Sequence, residues 1–506
     1  MVVRRGGGGL GLLQGEGPAA LLLGPAGLRP LGGEAWDGQQ APASVPDFSG
    51  ADAYRGRGTT ELLRGLAVFR ACSLRAFVER AEEMYSGARR LLGPRLADEA
   101  VRRTFFRHFC AGESSAQLAS TLDWLREHGV GGIVNYHTEG GLDGGGEVAD
   151  HQSAEERRRA VLEHNLGLIL ESIEMSARAG GHKFIAIKLT SMAQPSLLEK
   201  LSEALKAAKG AGGLQGGDVD PHQLLTCHMN AVRSGRRGMD ALESWADAPT
   251  VREADRLLTS AGRVAEAAAV QGVRVLVDAE QTYLQPAVDY VTAQLQRAHN
   301  GTYAVLLNTY QAYLKDSAAR LEADLLRCRS GGYTFGGKLV RGAYMVEERR
   351  RAEERAVPSP VHDTKRDTDG NYNRCARRLL REIGEGRRAE VVLATHNHDS
   401  VNGAVDLMRS MGMAPQATPV YFAQLMGMSD YLTFSLGHSG YKVLKCLPYG
   451  PVHELMPFLV RRAQENADVM GGVAKDVEMT WAEIRRRVPA LLPHAPGHGW
   501  DRVQKA

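Results

Sequence analysis

The spacing of apolar residues changes character near Val130. From Thr59 to about Gly129 they recur at three- and four-residue intervals, as in Leu62, Leu66, Phe69 and Cys72 and again in Leu74, Phe77, Val78 and Ala81. That period lines them up on one stripe of an α-helix. Ser114 to His128 keeps the period and stops at Gly129, a residue suited to the left-handed turn that closes a helix. These features predict a helical arm over 51–129. Beyond Val130, short runs rich in Val, Ile and Leu alternate with helical stretches. Eight such runs stand out: Gly132 to Tyr136, Phe184 to Thr190, Val273 to Glu280, Ala304 to Gln311, Gly337 to Ala343, Val391 to Asn397, Val420 to Leu425 and Tyr441 to Leu447. Continuous apolar strands separated by helices predict a parallel sheet covered on its outer side. Eight of them point to a (β/α)8 barrel, an α/β fold that keeps its chemistry at the carboxyl ends of its strands. A doubly wound sheet would want a glycine-rich phosphate loop after its first strand, and no G-x-G-x-x-G follows any strand here.

The barrel is expected over 130–470. One connection, between Thr190 and Val273, is too long for a single barrel helix and predicts an insertion at about 192–265. It contains the glycine-rich piece Lys209 to Asp220, whose Asp218 and Asp220 hint at a calcium loop without the further ligands and closing Glu such a loop needs. GGLDGGGE, Gly140 to Glu147, reads as a flexible loop. After the last strand, a turn built from Pro448, Gly450 and Pro451 leads into an amphipathic helix, and 471–506 reads as a helix, Val477 to Val488, with a polar tail. Residues 1–50 carry Arg4, Arg5 and Arg29 with no acid before Glu16, which fits an organellar presequence or a disordered tail.

Composition narrows the class. A net charge of +3 over 506 residues, with no basic stripe interleaved with aromatics, argues against nucleic-acid binding. Six cysteines without C-x-x-C spacing read as free thiols rather than a disulfide framework or a zinc site. No apolar run reaches the roughly 18 residues of a membrane span, so any membrane association is peripheral.

The chemistry collects at strand ends: Glu139 after the first, Lys188 in the second, Asp278 and Glu280 on the third, Gln311 on the fourth, Lys338 and Arg341 on the fifth with Tyr344 beyond, and His396 on the sixth. Strand alternation forbids all of them from facing one cavity. Each could be half of a structural ion pair, because charge inside a barrel is costly unless paired or bound to a ligand. A strand-borne Lys188 could form a Schiff base, as in aldolases, unless Asp278 keeps its amine protonated. His396 and His398 suggest metal ligands, but no third ligand accompanies them. The adjacent pair Arg461 and Arg462 could converge on one carboxylate, since paired guanidinium forks fix both its position and its orientation. The bland alternative pairs Arg461 with Glu465 one turn later.

DAEQTYLQPA (Asp278 to Ala287), KLVRGAY (Lys338 to Tyr344), ATHN (Ala394 to Asn397), YFAQLMGMSD (Tyr421 to Asp430) and LPYGPVHELMPFLVRRAQEN (Leu447 to Asn466) together closely resemble the eukaryotic proline dehydrogenase family, which includes the hydroxyproline dehydrogenases. The resemblance runs from about Gly112 to the last helix. It implies a distorted (β/α)8 TIM-like barrel holding FAD. The implied reaction is oxidation of L-proline to 1-pyrroline-5-carboxylate, with electrons passed to quinone at the matrix side of the mitochondrial inner membrane. Carried over by motif, Arg461 and Arg462 clamp the substrate carboxylate with help from Lys188, and Tyr344 packs on the ring. Asp278 is the active-site aspartate, and Glu139 is the acid of a gate over the clamp. Lys338 stands where bacterial relatives have an arginine near the reactive flavin nitrogen. Ala279, Gln311, Arg341, Gly342, Ala343, Thr395, His396 and Asn397 match flavin-holding positions. No metal is implied.

Three departures from the family pattern stand out, of which Lys338 can still donate a hydrogen bond to the flavin. Asn135 replaces the aspartate of some relatives, a neutral change with no evident consequence. Cys446 replaces a tyrosine that packs on the ring in many proline-specific relatives, leaving room there, although it could equally be a small packing residue. Proline is the expected substrate, with trans-4-hydroxy-L-proline the alternative. A non-catalytic sensor that binds proline or flavin is a further one.

Overall fold

The apolar runs form parallel strands that hydrogen-bond in sequence order: β1 (Gly131–Tyr136), β2 (Lys183–Ile187), β3 (Arg274–Val277), β4 (Leu306–Gln311), β5 (Phe335–Val340), β6 (Ala389–Ala394), β7 (Val420–Leu425) and β8 (Val443–Tyr449), with β8 closing back onto β1. The structure is a computed structural model that describes residues 44–48, 52–54, 56–136, 154–214, 220–468 and 470–491. Glu139, the Gly140 to Glu147 loop, Asp218 and most of the 1–50 segment lie outside those residues.

Closure decides which side chains look inward. Ile133, Phe184, Ala186, Leu276, Val392 and Leu444 share one alternation phase and form a buried cluster within the barrel. The opposite phase, including Val134, Ile185, Val275 and Val391, packs outward into a larger core under the helices. Both faces are therefore apolar, which is why the strands read as continuous apolar runs rather than alternating ones.

The strands end sooner than the runs. Lys188, Asp278, Glu280, Arg341, Thr395, His396 and Asn397, expected on strands, lie just past strand ends. The ladder nonetheless extends to two of them: Asp278 N–H donates to Ile187 O at 2.8 Å, and Thr395 N–H to Ala423 O at 3.0 Å. Pro448, expected in a turn, sits inside β8 opposite Asn135. It is tolerated because β8 pairs with β7 only as far as Cys446, so its missing N–H breaks no bond there.

Between β2 and β3 the chain forms helices Pro195–Leu214, Pro221–Arg233, Asp240–Glu243 and Ala248–Gln271. The last of these packs against the neighbouring barrel helices Ala154–Arg178 and Gln285–His299, and Pro195–Leu214 lies against Gln285–His299. Leu198, Leu201, Leu225 and Leu257 from this stretch are buried in the main core. Asp220 caps its helix by accepting from His222 N–H at 3.1 Å and pairs with Arg327, so its charge is spent on structure.

The arm, Thr59–Cys72, Arg75–Glu79, Ala81–Leu92 and Pro94–Val101, packs on the helix that follows β8, Val452–Asp468. Cys72, Val78, Phe106 and Phe109 share a buried cluster with Leu455, Phe458, Leu459 and Ala463. The last helix, Met470–Leu491, returns to lie on Thr59–Cys72. Where these segments meet the barrel there is a buried charge cluster. Lys445, on the outward phase of β8 and wholly buried, forms an ion pair with Asp430 at 2.8 Å and donates to the carbonyls of Leu425 and Met428. Arg57 pairs with the same Asp430 at 2.6 Å. Burial alone would raise the Asp430 carboxyl, but Arg57 and Lys445 overcome it and hold it at about 2. Asp476, on the last helix, accepts from Ser429 N–H at 2.8 Å, and burial beside Asp430 pushes it up to about 7.

These groups set the response to acid. Burial presses His108, His182 and His396 down to about 3 and His222 to about 4. Their contribution is complete above the unfolded value near pH 6.5 and is lost as pH falls toward 4. Asp476 has the opposite sign: its neutral form is favoured, so its contribution is full in acid and is lost as pH rises through 7. Near pH 5 the unfolded chain holds four imidazole protons against the one on folded Asp476, a net uptake of three on unfolding. The Tm, followed by circular dichroism, is expected to fall by about 3 °C between pH 7.5 and 5.5; a flat profile would contradict these assignments.

Candidate active site

The inward phase turns polar at the carboxyl rim. Lys188, Asp278, His396 and Cys446 continue the alternation of Ala186, Leu276, Ala394 and Leu444, while Lys338 lies on β5 in register with Thr309 and Val392. Asp278 and Lys338 form an ion pair across β4, both largely shielded from solvent. Asp278 was expected beside Lys188. The sheet aligns the two, because Ile187 and Val277 pair just before them, and adds the β5 lysine as an ion-pair partner of Asp278; Lys188 also lies within electrostatic reach of Glu280. Lys188 is extended and opens a short 3-10 turn, Leu189–Ser191.

Glu280 is a structural residue. It is buried, burial raises its carboxyl, and it accepts from Thr190 N–H at 3.2 Å.

Helix Val452–Asp468 brings its cations over this rim. The Arg462 guanidinium stands 5.1 Å from the ring of Phe458 and within electrostatic reach of both Cys446 and His396. Arg461 beside it is half-buried. The Glu465 side chain, its bland partner, lies outside the described residues. Cys446 faces the same space: burial pushes its thiol up to about 11, with Asp278 adding to the effect, and the amide of Asn135 lies 3.9 Å from its sulfur. Tyr344 is half-buried at the start of helix Met345–Glu354.

The positions matched to flavin occupy the neighbouring arc of the rim. The Gln311 amide donates to Glu280 O at 2.9 Å and accepts from Ala343 N–H at 3.3 Å, bracing the ends of β3, β4 and β5. Buried Ala279 sits between Asp278 and Glu280. Arg341 donates to Asp369 at 2.7 Å, to Ser400 at 3.0 Å and to Thr395, with its guanidinium 4.5 Å from the Tyr372 ring. Asn397 caps helix His398–Ser410 through Ser400 N–H at 2.9 Å. His396 meets Ser429 Oγ at 3.1 Å through Nδ1. Burial, reinforced by Lys445, Arg462 and Arg341, keeps its imidazole neutral. His398 points elsewhere and packs on Phe48 and Tyr431. Among the described residues no group of three or more His, Cys, Asp or Glu is arranged to hold a metal ion.

A family model described as proline dehydrogenase matches residues 135–475. The chain belongs to the proline dehydrogenase family. Membership makes it an oxidoreductase of that type. "Proline dehydrogenase 1, mitochondrial" from Homo sapiens is 32% identical, with 94% of each chain covered. "Hydroxyproline dehydrogenase" from Xenopus laevis is 33% identical over 87% of this chain and 90% of that protein. Among solved structures, proline utilization A from Bdellovibrio bacteriovorus, inactivated by N-propargylglycine, superposes with a TM-score of 0.57 at 19% identity, a likeness of fold. It covers 87% of this chain, which spans 41% of that longer one.

Sequence reasoning passed over the support behind His396. Ser429 adopts φ +52, rare for a residue with a side chain, held by Asp476 at its N–H, while its hydroxyl reaches His396. The lysine in the middle of an apolar strand, VLKCL, was the available signal.

Gly342 makes the rim testable. Its φ is +137, and a Cβ there would fall 1.3 Å from the Tyr313 ring. Gly342→Ala is expected to cost more than about 2 kcal/mol in urea unfolding, while Ala343→Gly next to it stays within about 1 kcal/mol. Equal costs would refute the close approach.

Proposed function

We propose that this proline dehydrogenase family member oxidises L-proline to 1-pyrroline-5-carboxylate in proline catabolism, with FAD as the hydride acceptor and a quinone as the next one. The mitochondrial names of its relatives support the same location here, and the reading extends to peripheral association with the matrix side of the inner membrane. Among the described residues, no helix is long and apolar enough to cross a membrane.

The observation that carries the reading is the convergence of Arg462, the Asp278–Lys338 pair and Cys446 on one space at the barrel mouth. A small ring acid needs that set. Arg461 and Arg462, assisted by Lys188, would hold its carboxylate, each well-desolvated arginine contact contributing roughly 1.5–3 kcal/mol. Tyr344 would pack on the ring and Glu139 would close over the clamp. The residues of the adjoining arc fit FAD. Gly342 and Ala343 present exposed backbone with Tyr313 filling the space on the Cβ side of Gly342, and neutral His396 has one ring nitrogen committed to Ser429 and a second at its other edge. Ala279, Gln311, Arg341, Thr395 and Asn397 complete the set that would hold it. FAD held by these residues would supply the hydride acceptor for the ring carbon beside nitrogen. The chain's own task is orientation: cations fix one end of the substrate, and the Asp278–Lys338 pair keeps a neutral charge balance beneath it.

A second reading, oxidation of trans-4-hydroxy-L-proline, is favoured by Cys446. Its small thiol leaves room where a tyrosine would cover the ring.

The direct test is anaerobic bleaching of the purified yellow enzyme with L-proline and, separately, trans-4-hydroxy-L-proline. Bleaching by either is the expected result; a flavin that neither compound reduces would overturn the proposal. In the same assay Arg462→Met is expected to raise KM by about 10–100-fold with flavin content unchanged, and an unaltered KM would remove Arg462 from the clamp.

A further inference from the structure

Asn135 ends the inward phase of β1, two residues beyond Ile133, and stands beside Cys446 on the adjoining strand. Among the described residues, the only hydrogen-bond partner of its side chain is the Cys446 sulfur, 3.9 Å from Nδ2. A thiol sulfur is a weak acceptor, whereas a carboxamide carries two donors and two acceptor lone pairs. Toward the described residues most of the capacity of this amide is therefore unspent, in a half-buried position. The barrel order also separates two kinds of wall. Asp278 and Lys338 come from β3 and β5, while Asn135 and Cys446 come from β1 and β8, across the barrel. Asn135 and Cys446 are thus the uncharged stretch of the rim, with Lys188 past β2 on one side and Arg462 above β8 on the other. A ring acid held at its carboxylate and amine by the charged groups turns its far edge toward the neutral pair.

We infer that Asn135 is a specificity residue whose amide recognises a hydroxyl on that far ring carbon, so that the pocket is built for a 4-hydroxylated cyclic imino acid. This rests on the oxidation reading above and deepens it. A hydroxyl both donates and accepts, and an amide can answer it in either role, whichever way its oxygen and nitrogen are turned. Cys446 supplies the room and Asn135 the bond. An unsubstituted ring would cover the amide with methylene and leave it unpaired, the situation in which polar sites discriminate most sharply.

The test compares wild type with Asn135→Leu, which keeps the volume and loses the amide, and with Asn135→Ala in case the leucine variant misfolds. For each, kcat/KM is measured with trans-4-hydroxy-L-proline, cis-4-hydroxy-L-proline and L-proline. Loss of the amide is expected to lower kcat/KM for one 4-hydroxy epimer by about 10–100-fold and, because the unpaired amide no longer faces the bare ring, to raise that for L-proline. A parallel fall for all three compounds would mark Asn135 as merely structural and overturn the inference, as would an unchanged ratio. Calorimetric binding of the same compounds to dithionite-reduced enzyme reads the contrast without turnover. Selective binding that needs Asn135 in an enzyme oxidising none of them would sink the oxidation reading and sustain this one. Kd ratios indifferent to Asn135 would sink this one alone.

Discussion

A charge pointed into a closed eight-stranded barrel has to be matched by another, because every second side chain faces a packed interior that holds no bulk water. The ion pair between Asp278 and Lys338 meets that condition at the level where the interior opens. Below it the inward phase is apolar, from Ile133 to Leu444. Above it the cations come from a helix that the arm, not the sheet, holds in position, through Phe106 and Phe109 against Leu455 and Leu459. The candidate site is thus assembled from two layers. The strands fix the pair and the thiol, and the arm fixes the height of the arginines.

Much of this was legible in the chain. Strands buried on both faces leave uninterrupted apolar runs, so their number and order could be read directly. Their ends could not: Asp278 and Thr395 still bond to an adjoining strand after regular pairing stops, and sequence carries no mark of that distinction. Pro448 misled for a related reason. It looks like a turn residue until the early end of β7 is known.

Partners were harder to read than positions. Asp278 was matched with Lys188, which follows the adjoining strand in register with it, while its ion-pair partner Lys338 comes from β5, one strand further on. The aspartate and the lysine are both named by motif, yet only closure of the sheet decides who meets whom. The surroundings of His396 were further from view, since they join Arg57, Ser429, Asp430, Lys445 and Asp476 from distant parts of the chain. No periodicity links those residues.

The Arg57–Asp430–Lys445 cluster bears on how this enzyme could be miniaturised. A fragment cut to residues 135–475, where the family match begins and ends, would leave out Arg57 and stop one residue short of Asp476. It would retain Lys445 in the barrel wall and Asp430 at the start of the helix after β7, with part of their counter-charge removed and Ser429 without its anchor. The barrel and the flanking helices therefore form one inheritable unit: a domain swap or fusion that respects the family boundary would sever the scaffold at its most polar seam.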